Sequence, residues 1–232
     1  MNGIKDKKIA LIGRGKTGSE IARMLEGCSL EIFDQERKPN AATLRDFSAA
    51  VVLVPGKALQ ELIPIFLESR ANVLTGLPSE TSPLPSYLDF AIKQTQARWI
   101  VAANFSLGMT IIHEAIRILK HSDLLFPSVS FQVREVHSRE KSERAGQTSQ
   151  QWLEWLNRDC ELKTERIGNV VGIHELILKA EDEEITLRHH THHRRHYAHG
   201  AVWALKRLFS EPALPSGLHR FEELTRRELL RK

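Results

Sequence analysis

The chain has 232 residues, 41% of them hydrophobic and 27% charged, which is enough to bury one large core or two modest ones. Its formal net charge is only +4 and is spread along the sequence, which argues against a nucleic-acid partner and fits a small anionic ligand. The two cysteines, Cys28 and Cys160, form no CxxC, the N-terminal stretch has no apolar signal, and no apolar run reaches the 18–20 or so residues of a membrane span. The expectation is a cytoplasmic protein with neither a disulfide framework nor a membrane partner.

In chain order, Lys8 to Ile12 is a short apolar run that stops at a glycine loop, as a buried parallel strand does. Ser19 to Leu25 carries Ile21, Met24 and Leu25 at helical spacing. Further strands are expected at Ser29 to Phe33, Ala49 to Val54, Ala71 to Thr75 and Arg98 to Ala102, with helices at Leu59 to Leu67 and Tyr87 to Gln94 between them. This alternation predicts a Rossmann-type α/β domain, a parallel sheet with helices on both faces.

The pattern changes after Asn104. A helix is expected from Thr110 to Lys120. Val129, Phe131 and Val133 then alternate with Ser130, Gln132 and Arg134, which marks a strand with one wet face. A helix over Gln150 to Asn157 follows. Strands at Val170 to Lys179 and Glu184 to Arg188 are joined by the acidic turn Glu181 to Glu183, and a long helix runs from Tyr197 to Phe209. The second part thus reads as α+β with an open mixed or antiparallel sheet.

Gly13, Gly15 and Gly18 form a G-x-G-x-x-G between a strand and a helix. The first glycine permits the tight turn, the second admits a pyrophosphate, and the third lets helix and strand pack closely. With Arg14, Lys16 and Thr17 this loop is the expected phosphate cradle of a nicotinamide dinucleotide, helped by the helix N-terminus. Asp34, about 20 residues beyond, is placed to bind the adenine ribose hydroxyls. Asp34 favours NAD, whereas Arg14, Lys16, Arg37 and Lys38 would attract the extra phosphate of NADP, so NADH and NADPH both stand as cofactors.

His137 and Lys141 lie four residues apart in a loop after the alternating strand, as an acid and an anion clamp would. Gly146, Gln147 and Thr148 precede a helix whose N–H groups suit a carboxylate; an ordinary surface loop with Thr148 as a cap is the plainer alternative.

Read together, these segments resemble the 4-hydroxy-tetrahydrodipicolinate reductase family, formerly called dihydrodipicolinate reductase, of the diaminopimelate route to lysine. The resemblance rests on Gly13 to Gly18, on the hinge-like Asn104-Phe105-Ser106-Leu107-Gly108, and on Arg166 to His174. It also rests on His189, Thr191, Arg194, Tyr197, Ala198, Gly200 and Ala201 at the family's spacing. The family's loop, E-x-H-H-x-x-K-x-D-x-P-S-G-T-A, is matched by Glu135, His137, Lys141 and Thr148, with Glu143 in place of Asp. Ser138 replaces the second His, Ala145 replaces Pro, and Gly146-Gln147 replaces Ser-Gly. Near the nicotinamide, Leu74-Thr75-Gly76-Leu77 keeps part of the family's G-T-T-G.

The resemblance implies two domains: a cofactor domain from 1–104 and 200–232, and a substrate and oligomerisation domain from 105–199, with hinges near Asn104 and Gly200. It implies a homotetramer and a small dicarboxylate substrate, 4-hydroxy-tetrahydrodipicolinate, reduced to tetrahydrodipicolinate with loss of water. The implied catalytic residues are His137 as acid and Lys141. Thr75, Gly76, Asn104 and Phe105 join the cofactor site, and Ser138, Gly146, Gln147 and Thr148 the substrate site. Two alternatives remain: a same-family reductase of another cyclic imine or keto acid, and a non-catalytic nicotinamide-dinucleotide sensor.

Six histidines crowd the segment from His189 to His199. No metal is expected there. His192, His196 and His199 would share a helical face only if the helix began early enough, and there is no cysteine nearby.

Overall fold

The computed structural model describes residues 3–77, 84–138, 146–168 and 170–231. These residues divide into two compact units: Met1–Leu107 with Arg195–Lys232, and Gly108–Arg194.

The first unit is a parallel sheet. Its strands are β1 (Lys8–Ile12), β2 (Ser29–Phe33), β3 (Ala49–Val52), β4 (Val73–Gly76), β5 (Arg98–Ala102) and, from the far end of the chain, β10 (Gly217–Arg220). Their order is β10-β5-β4-β3-β1-β2, and every neighbouring pair is parallel. Successive residues of a strand point to opposite faces, so each short apolar run feeds two cores. Ile9, Leu11, Ala49, Val51, Leu74 and Ile100 pack on one face. There they meet Ile21 of α1 (Lys16–Met24), Ala201 and Leu205 of α7 (Arg195–Leu208), and Phe221 and Leu224 of α8 (Phe221–Leu229). Ala10, Ile12, Val52, Val73 and Trp99 face the other way. Their partners include Leu44 of α2 (Ala41–Leu44), Ile63 and Phe66 of α3 (Gly56–Ser69), and Leu88 and Ile92 of α4 (Leu88–Thr95). The sheet is doubly wound, as the alternation of elements predicts.

β3 ends at Val52, two residues short of the expected Val54. Leu53 still donates its N–H to Ile12 O at 2.8 Å, but Leu53 and Val54 then leave the ladder and line a cleft.

The second unit holds α5 (Leu107–Leu119, which begins in the first unit), β6 (Ser130–His137), α6 (Gln147–Leu156), β7 (Glu161–Arg166), β8 (Gly172–Lys179) and β9 (Glu184–Thr191). Its strands are ordered β7-β6-β8-β9; β6 runs parallel to β7 and antiparallel to β8, and β8 is antiparallel to β9. The open sheet is therefore mixed. Phe131, Val133, Leu176 and Leu178 form its inner face against Ile112 and Ile116 of α5 and Trp152 and Leu156 of α6. On the outer face Arg134 pairs with Glu165 at 2.7 Å and Glu175 at 2.8 Å, and its guanidinium holds the Glu165 carboxyl below the usual range.

Candidate active site

In the first unit the strand order reverses between β1 and β3, and the chain leaves their carboxyl ends in opposite directions. Such a switch point is where open α/β sheets bind ligands. A cleft of about 510 Å³ opens there. It is lined by Gly15, Lys16, Thr17 and Gly18 after β1, by Leu53 to Gly56 after β3, and by Gly76 and Leu77 at the end of β4.

The glycines explain why the cleft is open. Gly13 takes φ +97°, and a Cβ on it would lie 2.4 Å from Leu53 O. Its N–H donates to Phe33 O at 3.0 Å, which ties the turn to β2. A Cβ on Gly18 would lie 2.3 Å from Gly13 O, so the helix can approach the turn only with glycine there. Gly15 differs: nothing stands within 4 Å of where its Cβ would be. It caps α1 with extended backbone and no side-chain bond, and the first-turn N–H groups have no partner within the helix. An unobstructed glycine beside first-turn donors and the exposed Lys16 fits a pyrophosphate in charge and in shape.

The other residues expected at the cofactor lie outside this lining. Asp34, exposed at the end of β2, accepts the N–H groups of Glu36 (2.9 Å) and Arg37 (3.0 Å) on Oδ1. The Arg37 guanidinium is paired with Glu31 and lies 5.2 Å from the Phe33 ring, so it is already engaged. Thr75 is buried, its hydroxyl 3.3 Å from Gly76 O. Asn104 accepts the Ser106 N–H at 2.8 Å, which turns the chain into α5. Phe105 is buried edge-on against Phe221 with ring centroids 5.4 Å apart. A Cβ on Gly200 of α7 would lie 1.7 Å from Phe105 O, so α7 rests directly on this backbone.

In the second unit His137 ends β6 and is half-buried. Its ring packs edge-on against His174 of β8 at 5.4 Å, and His174 in turn lies 5.8 Å from Trp152. Gly172 makes room for it: a Cβ there would come within 3.1 Å of His137 Cε1. Register pairs His137 with Arg166 on β7. Beneath lies Glu135, wholly buried. Its Oε2 accepts the Gly146 N–H at 2.8 Å and the Ser149 hydroxyl. Its Oε1 is 3.8 Å from His137 Nε2 and 3.6 Å from Arg166 Nη1.

The expected carboxylate cradle therefore begins with an N–H already given to Glu135. Gly146 caps α6 with extended backbone; Gln147 is exposed and Thr148 half-exposed in the first turn, and Ser138 is half-exposed beyond β6. Lys141 lies outside the described residues, as do Glu143 and Ala145.

Sequence reasoning gave no role to Glu135, Ser149, Arg166, Gly172 or His174. One signal was legible: the alternation of β6 puts a carboxylate on the apolar phase with Phe131 and Val133. The remaining contacts depend on pairing across the sheet. A second cleft, about 460 Å³, lies at the other end of β6 beside Cys160 and Glu161.

The histidine cluster is divided among elements. His189 and His190 belong to β9, and α7 begins only at Arg195, so His192 is not on the helix that carries His196 and His199. His190 and His192 have ring centroids 4.1 Å apart. Desolvation first, then the charges of His192 and Arg188, hold the His190 imidazole below its usual range. Among the described residues no three His, Cys, Asp or Glu side chains are grouped to hold a metal ion, and no helix is long and apolar enough to cross a membrane.

Residues 106–223 match the family model described as dihydrodipicolinate reductase, C-terminus. The chain belongs to the dihydrodipicolinate reductase family. Among its relatives is the 4-hydroxy-tetrahydrodipicolinate reductase of Bdellovibrio bacteriovorus, 25% identical over 227 residues, covering 90% of this chain and 93% of that protein. The Staphylococcus aureus protein of the same name is 24% identical over 94% of this chain and the whole of its own length. Among solved structures, a dipicolinate-bound dihydrodipicolinate reductase from Paenisporosarcina sp. shares the fold with a TM-score of 0.74 at 15% identity, covering 94% of this chain and 99% of that one. An engineered D-amino acid dehydrogenase bound to NADP+ matches at a TM-score of 0.53 and 10% identity, over 94% of each chain.

Proposed function

We propose that this protein is an NADH- or NADPH-dependent reductase that converts 4-hydroxy-tetrahydrodipicolinate to tetrahydrodipicolinate in the diaminopimelate route to lysine. Family membership supports the reaction class. The observation that carries the reading is His137 beside the α6 N-terminus, both held by the buried Glu135. An acid and a carboxylate cradle are what this reduction asks of a protein.

In this reading the first unit binds the cofactor. The N–H groups after Gly15, with Arg14, Lys16 and Thr17, hold the pyrophosphate, Gly13 and Gly18 shape the turn, and Asp34 holds the adenine ribose. Gly76, with Thr75, Asn104 and Phe105 as its surroundings, shapes the nicotinamide end. When bound, the reduced nicotinamide supplies a hydride.

The second unit, 105–199 by the family's pattern, binds the dicarboxylate and carries the assembly contacts of a homotetramer. Thr148, Gln147, Ser138 and Lys141 hold the carboxylates, with Gly146 fixing the helix start. His137 delivers a proton to the ring atom next to the one reduced, which is work suited to an imidazole. A reducing cytoplasm agrees with Cys28 and Cys160, both free thiols.

One feature favours a second reading: Ser138 and Gly146-Gln147 depart from the family loop, as an enzyme for a different cyclic imine or keto acid would. The test is cofactor oxidation with freshly generated 4-hydroxy-tetrahydrodipicolinate. Turnover is the expected result. Cofactor binding without turnover overturns the proposal, and a panel of imino and keto acids then separates the second reading from a sensor without catalysis.

A further inference from the structure

A wholly buried carboxylate needs a reason. Glu135 sits on the apolar face of β6 in line with Phe131 and Val133, where an isolated charge is strongly disfavoured. Its hydrogen bonds to Gly146 and Ser149 do not demand a charge, because a glutamine oxygen accepts from an N–H and a hydroxyl equally well. What only a carboxylate does is offer its other oxygen as a negative charge to an imidazole and a guanidinium. Oε1 lies 3.8 Å from His137 Nε2 and 3.6 Å from Arg166 Nη1. These are ion-pair separations rather than direct hydrogen bonds. The two oxygens thus divide the work, Oε2 holding the start of α6 and Oε1 facing the imidazole.

We propose that Glu135 is the positioning residue of this site: its carboxylate fixes the His137 ring against the start of α6 and keeps Nε2 as the proton-bearing nitrogen. The proposal deepens the reading of His137 as the acid and rests on it. Among the described residues, Arg166 on β7 and His174 on β8 also face the ring. The Arg166 guanidinium disfavours an imidazolium beside it, and the Glu135 carboxylate opposes that. Gly172 adds the steric half of the arrangement, since a side chain there would press on Cε1.

The test reads the imidazole directly. Long-range nitrogen–proton spectra are recorded on the full-length, nitrogen-15-labelled protein without substrate or cofactor, and His137 is assigned by its loss in His137→Gln. In the native chain the neutral ring is expected as the Nε2–H tautomer; an Nδ1–H tautomer overturns the proposal. In Glu135→Gln, which keeps both hydrogen bonds of Oε2, the His137 titration midpoint is expected to fall by about one pH unit. A midpoint that stays or rises overturns the proposal. Should Glu135→Gln fail to fold, the native tautomer still decides. Because no substrate is present, this outcome is independent of the turnover assay, and failure of the reductase reading is seen separately. Where turnover is found, Glu135→Gln lowers kcat more than it raises KM and moves the alkaline limb of the kcat profile to lower pH, as for an acid that loses its proton sooner.

Discussion

A Cβ on Gly18 would stand 2.3 Å from the carbonyl oxygen of Gly13, whereas one on Gly15, between them, would meet nothing within 4 Å. Three glycines in one loop therefore have two different duties, and substitution separates them. Gly18→Ala forces helix and turn apart and is expected to cost about 1–3 kcal/mol of stability, read as a lower Tm. Gly15→Ala is expected to leave Tm unchanged but to place a methyl in the proposed pyrophosphate cradle, weakening NADH or NADPH binding roughly tenfold or more. Fluorescence titration of both cofactors checks this; a Gly15→Ala variant with native affinity would show that the cleft is not the phosphate cradle.

His137→Gln keeps a polar side chain of similar reach but removes the proposed acid. Turnover is expected to fall roughly 10²-fold or more, with cofactor affinity as in the native protein. Steady-state assays together with a cofactor titration decide it, and undiminished kcat rules out His137 as the proton donor.

Gly200→Ala tests the packing of α7. Its methyl would sit 1.7 Å from Phe105 O, a backbone atom that cannot swing aside. A loss on the order of 3 kcal/mol is expected in denaturant unfolding. A variant as stable as the native chain would mean that α7 does not rest on the Phe105 backbone.

Asp89 gives a pH dependence. Its carboxylate accepts the Leu218 N–H at 2.9 Å and pairs with Lys93, so it ties α4 to β10. The Leu218 N–H first, and Lys93 second, hold its carboxyl below the ordinary range. A depressed folded value means that the contribution to stability is present above the unfolded value and fades as pH falls through the folded one. Asp89→Ala should therefore lower Tm by a few degrees near neutral pH, with the gap to the native protein closing in acid. The Asp89 side chain is 43% exposed, so the effect is small. A gap that is constant with pH would assign it to packing instead.

The doubly wound sheet was legible because its central strands β1, β3 and β4 are apolar on both faces, and the runs of β1 and β3 stop at glycine or proline. The elements that escaped lack that mark. β7, Glu161-Leu162-Lys163-Thr164-Glu165-Arg166, is a charged edge strand stabilised by Arg134 and backbone pairing, with hardly any apolar phase. β10 is four residues long, and its Leu218 N–H is given to the distant Asp89. The site divides in the same way. Gly13, Gly15 and Gly18 are read from the sequence because they fall at a fixed spacing in one loop between a strand and a helix. Arg166 and Gly172 meet His137 only through the register of β6, β7 and β8, which no spacing along the chain encodes.

The first unit is interrupted, and the interruption sets an order of events during synthesis. When a ribosome has added Arg194, every residue of the second unit exists, yet α7, β10 and α8 of the first do not. Until they emerge, Ile9, Leu11, Val51 and Ile100 lack α7 and α8, which share their face with α1, and the outer edge of β5 is unpaired. The part of the protein begun first is finished last, and through that interval its exposed strand edge and uncovered apolar face make the nascent chain a natural client for chaperones.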